Sequence, residues 1–147
     1  MRRMPAPVIP DDSLDRLRRL GAFIPELESS DFDFGHWAGG ERLADGSSSV
    51  PYYEFSARAQ ELIAALPVIV GFEWPAWLST PRAKEFVENH DRIGEAGIED
   101  LVRLTTAIVR SDRFTEGSIA GAYESGLLLA IARRAKTLAD ARNTEFA

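Results

Sequence analysis

The 147-residue chain contains no cysteine. That one absence removes disulfides, thiolate metal sites and cysteine nucleophiles together. Histidine is nearly as scarce: His36 and His90 stand alone, neither with a second histidine three or four residues away. A transition-metal centre needs three or four protein ligands, so no metal and no cofactor is expected. No apolar run approaches membrane-spanning length, and Met1-Arg2-Arg3-Met4-Pro5-Ala6-Pro7 leads into Asp11 and Asp12 instead of an apolar signal core. A cytoplasmic location with no membrane association is the simplest expectation. Also missing are a Gly-x-Ser-x-Gly elbow, a phosphate loop and a dinucleotide fingerprint, since Gly39-Gly40 lacks the lysine or glycine spacing that should follow. Hydrolase, nucleoside triphosphatase and Rossmann chemistry are therefore without support.

What is present is ordinary for a globular protein: 45% hydrophobic and 27% charged residues, enough to enclose one core. A single globular domain is expected over residues 11–140, with 1–10 a flexible N-terminal segment and 141–147 a C-terminal tail. The net charge of −6 is unevenly placed. Residues 23–61 hold eight acids against Arg42 and Arg58, whereas 101–142 hold seven Lys or Arg against four acids. Such a two-sided surface can steer a charged partner, but an acidic whole is a poor match for nucleic acid, whose phosphates must be neutralised by Lys and Arg.

Hydrophobic spacing outlines an all-α domain: a compact bundle of about five helices with two aromatic-rich irregular segments and one short β-hairpin. Leu14, Leu17, Gly21, Ile24 and Leu27 follow Asp11-Asp12-Ser13, which suits an N-cap, and Pro25 should end or kink that helix. Residues 31–55 lose periodicity, and Asp45-Gly46 is a turn signal for the hairpin. Ser56 to Leu66 is helical again, capped by Ser56 and stopped by Pro67. Gly71 to Leu78 is too rich in tryptophan and proline for a solvated linker and is expected to wedge its indoles into the core. Pro81 should open a helix reaching about Glu88. Two apolar stripes complete the bundle: Ile98 to Val109, then Ile119 to Leu138 as one helix at the centre of the domain. The second carries Gly117, Gly121 and Ser125 at four-residue steps beside Gly126, a pattern that lets another backbone approach closely.

Phe72-Glu73-Trp74-Pro75-Ala76-Trp77, the stretch Leu104-Thr105-Thr106-Ala107-Ile108-Val109-Arg110-Ser111-Asp112-Arg113-Phe114-Thr115-Glu116-Gly117, and Glu124-Ser125-Gly126-Leu127 stand out together. With Phe34-Gly35-His36-Trp37-Ala38-Gly39-Gly40 and Val50-Pro51-Tyr52-Tyr53, this combination resembles the bacterial and archaeal proteins grouped as domain of unknown function 6508. The resemblance covers about Leu14 to Leu138, with Glu73 standing where the family pattern has Asp. It implies a small, stand-alone, soluble protein and carries no activity.

Candidate chemistry concentrates at one helix junction, where Arg110 and Arg113 meet Asp112 and Glu116. Two readings compete there. In one, the charges complement helix ends and pair with each other, Glu124 being half-buried against Arg110 or Arg113. In the other, Arg110, Asp112, Arg113, Glu116 and Glu124 form a small-molecule or anion site in a binding protein or enzyme. Glu116 and Glu124 are no acid/base dyad, because eight residues of helix separate them by about 12 Å. Ten of the fourteen aromatic residues lie between Phe23 and Trp77, among most of the excess acid. Trp37, Tyr52, Tyr53 and Trp74 are the candidates for an interaction surface, whose acidic rim favours a basic protein partner. The leading expectation is a non-enzymatic interaction or regulatory module, with self-association open.

Overall fold

Serine and threonine set two of the helix starts. In the computed structural model, which describes residues 9–145 and side chains as far as Arg142, the Ser56 hydroxyl accepts the Ala59 N–H and the Thr80 hydroxyl accepts the Ala83 N–H. These bonds open α3 (Ala57–Ala65) and α5 (Pro81–Glu88), each satisfying one of the amides that a first turn leaves over. α1 (Ser13–Gly21) begins differently. Asp12 does not cap it as expected; its carboxylate takes Arg16 Nε at 2.7 Å instead.

Pro25 starts a helix where it was expected to end one. The chain breaks at Ala22-Phe23, and α2 (Ile24–Glu28) carries Pro25 in its first turn, where no amide donor is needed. β1 (Gly35–Ala38) and β2 (Tyr52–Phe55) then pair antiparallel, Trp37 opposite Tyr53 and His36 opposite Glu54. An Arg42 to Ser48 bridge extends the ladder, and the Gly46 N–H reaches the Leu43 carbonyl at 3.0 Å, so the chain reverses at Asp45-Gly46 as its residues signal.

The second aromatic segment departs from expectation. Trp74–Leu78 forms a short helix, α4, with none of its residues fully buried. Trp77 packs with Phe72 against the core, but Trp74 turns outward to Phe114, ring centroids 6.2 Å apart. After α5, a 3-10 helix (His90–Glu95) leads to α6 (Ile98–Ser111), where the Asp100 carboxylate reaches back to the Gly97 N–H at 3.0 Å and accepts two bonds from Arg82.

The last apolar stripe is two helices, α7 (Ser118–Glu124) and α8 (Leu127–Glu145). Gly126 has φ +87°, a left-handed conformation that ends α7 and redirects the chain, so its role is conformational and not one of close packing. Close packing is the task of Gly21 instead: a Cβ there would lie 3.1 Å from Cβ of Lys136, where α1 crosses α8. α8 packs against α1, α2, α6, α7 and the 3-10 helix, with Leu128, Ile131, Ala132 and Ala135 without exposure. Leu17, Leu20, Leu62, Ile93 and Leu101 close the core around it. The fold is thus mostly helical with one hairpin. Of the expected terminal segments, residues 1–8 and 146–147 lie outside the described residues, and α8 occupies the tail as far as Glu145.

Candidate functional site

Two threonines explain why the α6 motif is so apolar and yet hydroxylated. Thr105 and Thr106 have no exposure; the Thr105 hydroxyl donates to the Pro67 carbonyl at 2.7 Å, and Thr106 Oγ1 accepts the Ile69 N–H at 2.9 Å. Together they satisfy the backbone of the turn after α3, whose polar groups would otherwise be buried without partners.

Beyond them α6 ends and the chain turns through a corner that its acids hold together. Asp112 Oδ1 accepts the Ile119 N–H at 3.1 Å, capping the first turn of α7 from seven residues upstream. Glu116 Oε1 accepts the Tyr53 N–H at 2.9 Å, tying the corner to β2. Gly117 takes φ +96°, and the indole of Trp37 lies directly against it. Phe114 stands at the tip, 80% exposed, beside Trp74. Arg110 is half-buried and Arg113 exposed.

The carboxylates are thus engaged with backbone amides and not with the arginines. Among the described residues, no ion pair within 4.0 Å includes Arg110, Asp112, Arg113, Glu116 or Glu124. Glu124 is exposed and forms no ion pair with either arginine, contrary to the half-buried pairing expected of it; its charge acts instead on the Tyr123 and Tyr53 hydroxyls.

That cluster runs from the core to the surface. Phe34, 2% exposed, stacks on Tyr123 with centroids 4.2 Å apart; Tyr53 follows at 6.3 Å from Phe34, and Trp37 meets Tyr53 edge to face at 5.6 Å. Trp37 is 52% exposed while Tyr53 is buried. Burial, then the carboxylates of Glu124 and Asp33, push the Tyr53 hydroxyl above its ordinary value. Burial followed by Asp33 and Glu124 does the same to Tyr123. The same two carboxylates therefore act on both rings.

Strand alternation splits the four aromatic residues chosen from sequence. Trp37 and Tyr53 share the face that meets α7, whereas Tyr52 lies on the other, its hydroxyl donating to Glu54 Oε1 at 3.2 Å. Glu54 Oε2 also lies 3.1 Å from His36 Nε2. Trp74 belongs with Phe114. Sequence reasoning missed Asp33 and Phe114 as members of the surface, although Phe114, an isolated ring among Arg113, Thr115 and Glu116, carried the signal of an apolar residue with no helical stripe to join.

An exposed indole can attract a cation through its ring face. Among the described residues, no group of three or more His, Asp or Glu side chains is placed to hold a metal ion, and no helix is long and apolar enough to cross a membrane. Compared with known proteins, the chain matches the model of a family of unknown function (DUF6508) over residues 13–141. No curated protein and no solved structure matches it.

Proposed function

Because the chain belongs to the DUF6508 family, whose function is not known, its activity has to be read from its own surface, and we propose that it is a non-enzymatic interaction module that captures a basic segment of a partner protein on the face of Trp37. The observation that carries this is the state of Trp37: half-exposed, yet fixed between Gly117 and the edge of Tyr53. A ring already held in one orientation loses little entropy when a partner covers it, and large rigid aromatic residues anchor interfaces for that reason.

Charge selects the partner. Glu116 is held at the amide of Tyr53, the residue opposite Trp37, the charges of Asp33 and Glu124 act on the neighbouring Tyr53 hydroxyl, and no Lys or Arg forms an ion pair with any of the three among the described residues. A Lys or Arg side chain laid on the indole would meet both the ring face and these carboxylates. Titration of isotope-labelled protein with an arginine- and lysine-rich peptide tests the proposal through the indole N–H resonance of Trp37. Saturable movement with the basic peptide, none with an acidic peptide of equal length, and loss of binding in Trp37→Ala are expected. Equal response to both peptides would overturn it.

A second reading, a small-molecule or anion site at Arg110 to Glu116, rests on the absence of any carboxylate within 4.0 Å of Arg110 or Arg113 among the described residues. Inorganic phosphate should then move the guanidinium resonances of both arginines, and Arg110→Ala with Arg113→Ala should abolish the phosphate-dependent stabilisation of the fold.

A further inference from the structure

A cavity of about 560 Å³ opens between the 3-10 helix and α8, and it shares no residue with the Trp37 face. Its size is that of a small-molecule pocket. Its walls are unlike each other. Leu129, Ala130 and Gly126 offer an apolar side, while His90, Arg133 and Arg134 bring cationic or proton-bearing nitrogen and Asp91 the one carboxylate.

Arg134 is the decisive residue. It is half-buried, and its Nε donates to the Ala96 carbonyl at 2.8 Å, which fixes the plane of the guanidinium. Yet among the described residues no carboxylate lies within 4.0 Å of it. Its neighbour Arg133 has Glu28 at 3.1 Å, and Arg58 has both Glu26 and Glu61. A guanidinium drawn partly out of water ordinarily has a counter-charge or a full set of acceptors. Here its Nε is occupied and its terminal amino groups are left for the cavity.

His90 completes the polar end. It is half-buried, and its Nδ1 lies 3.9 Å from where a Cβ on Gly126 would stand, so the left-handed glycine that bends α7 into α8 also leaves room beside the imidazole. We propose that this cavity binds a small organic anion, its carboxylate or phosphoryl group held by the Arg134 fork with His90, and its carbon skeleton laid over Leu129 and Ala130. Planar, two-pronged donation is the geometry in which arginine surpasses lysine for such groups. Asp91 disfavours a ligand with a second anionic group and can accept a hydrogen bond from a hydroxyl or amino group on one that has it.

The probes are phenyl phosphate, benzoate and the uncharged benzyl alcohol, titrated at constant ionic strength against isotope-labelled protein while the Gly94, Gly126 and Leu129 amides are followed. At least one anion should give saturable shifts at these amides, and benzyl alcohol none at the same concentration. Whether phenyl phosphate or benzoate binds tighter identifies the phosphoryl or the carboxyl group as the natural one. Arg134→Met should weaken binding roughly tenfold or more. If that variant does not fold, Arg134→Lys keeps the charge without the fork and should weaken binding as well. Absence of saturable shifts with both anions, or undiminished affinity in the folded Arg134 variant, overturns the proposal.

Discussion

Gly117 lies against the indole of Trp37 so closely that a Cβ on the glycine would stand 2.7 Å from Cζ2 and 2.8 Å from Cη2 of the ring. Both demands on this position, the left-handed φ of +96° and the close ring, exclude any side chain. Gly117→Ala should therefore cost roughly 1–3 kcal/mol and displace the ring. Thermal unfolding gives the first, and the Trp37 indole resonance the second. A variant as stable as the parent with an unmoved indole would contradict the geometry.

Glu116 acts on β2 through a single bond, its carboxylate accepting the Tyr53 N–H at 2.9 Å. Glu116→Ala removes the acceptor and should cost about 1 kcal/mol, with faster hydrogen exchange at the Tyr53 amide. Glu116→Gln keeps an oxygen at that place and should restore most of the protection. The same substitution removes a charge from the Trp37 face, so basic-peptide binding should weaken even where stability is recovered.

Thr106→Val keeps the shape of a fully buried side chain and deletes the acceptor of the Ile69 N–H. The orphaned amide should cost about 1–3 kcal/mol, read as a lower denaturation midpoint with an unchanged dependence on denaturant. An unchanged midpoint would mean that the turn after α3 finds another partner.

The pairing of Arg82 with Asp100 makes stability depend on pH in a definite direction. The Arg82 fork holds the Asp100 carboxyl below its ordinary value of 3.8, against burial, which pushes it up, and with the help of the Gly97 N–H. A carboxyl lowered in the folded state binds its proton more weakly there than in the unfolded chain. Its contribution is complete above the unfolded value and is lost as pH falls through the lowered folded one. Asp100→Asn should cost about 1–2 kcal/mol at neutral pH, since Arg82 is exposed and screening weakens the pair. The gap between variant and parent should narrow below pH ~4 as the parent protonates.

Much of the local structure could be read from residues alone, for local reasons. The Ser56 cap, the Pro67 stop, the Asp45-Gly46 reversal and the α5 and α6 boundaries depend on hydrogen bonds and dihedral limits within a few residues. The same holds for the family motifs, which are contiguous in sequence. Where the reading went astray, two local rules competed. Pro25 can end a helix or begin one, and Gly126 can serve packing or supply a left-handed turn. Neither choice is made within the segment: the first follows from where Leu20 and Leu27 must both reach the core, the second from α8 lying across α1 while α7 stays with α6.

The candidate surfaces needed the tertiary structure more than the fold did. Sequence placed Arg110, Asp112, Arg113 and Glu116 at one junction but not the partners of the two acids, which are the Ile119 and Tyr53 amides. It grouped Trp37, Tyr52, Tyr53 and Trp74 by proximity in the chain, and strand alternation then sent Tyr52 to the opposite face from Trp37. The cavity at Arg134 had no motif, because His90 and Arg134 meet only where the 3-10 helix crosses α8. What the sequence by itself determined is the set of segments and their ends, since propensity, capping and turn chemistry act within a few residues. Which charges go unpaired and which rings stay exposed was decided only in the folded chain, because both depend on what distant segments bring alongside.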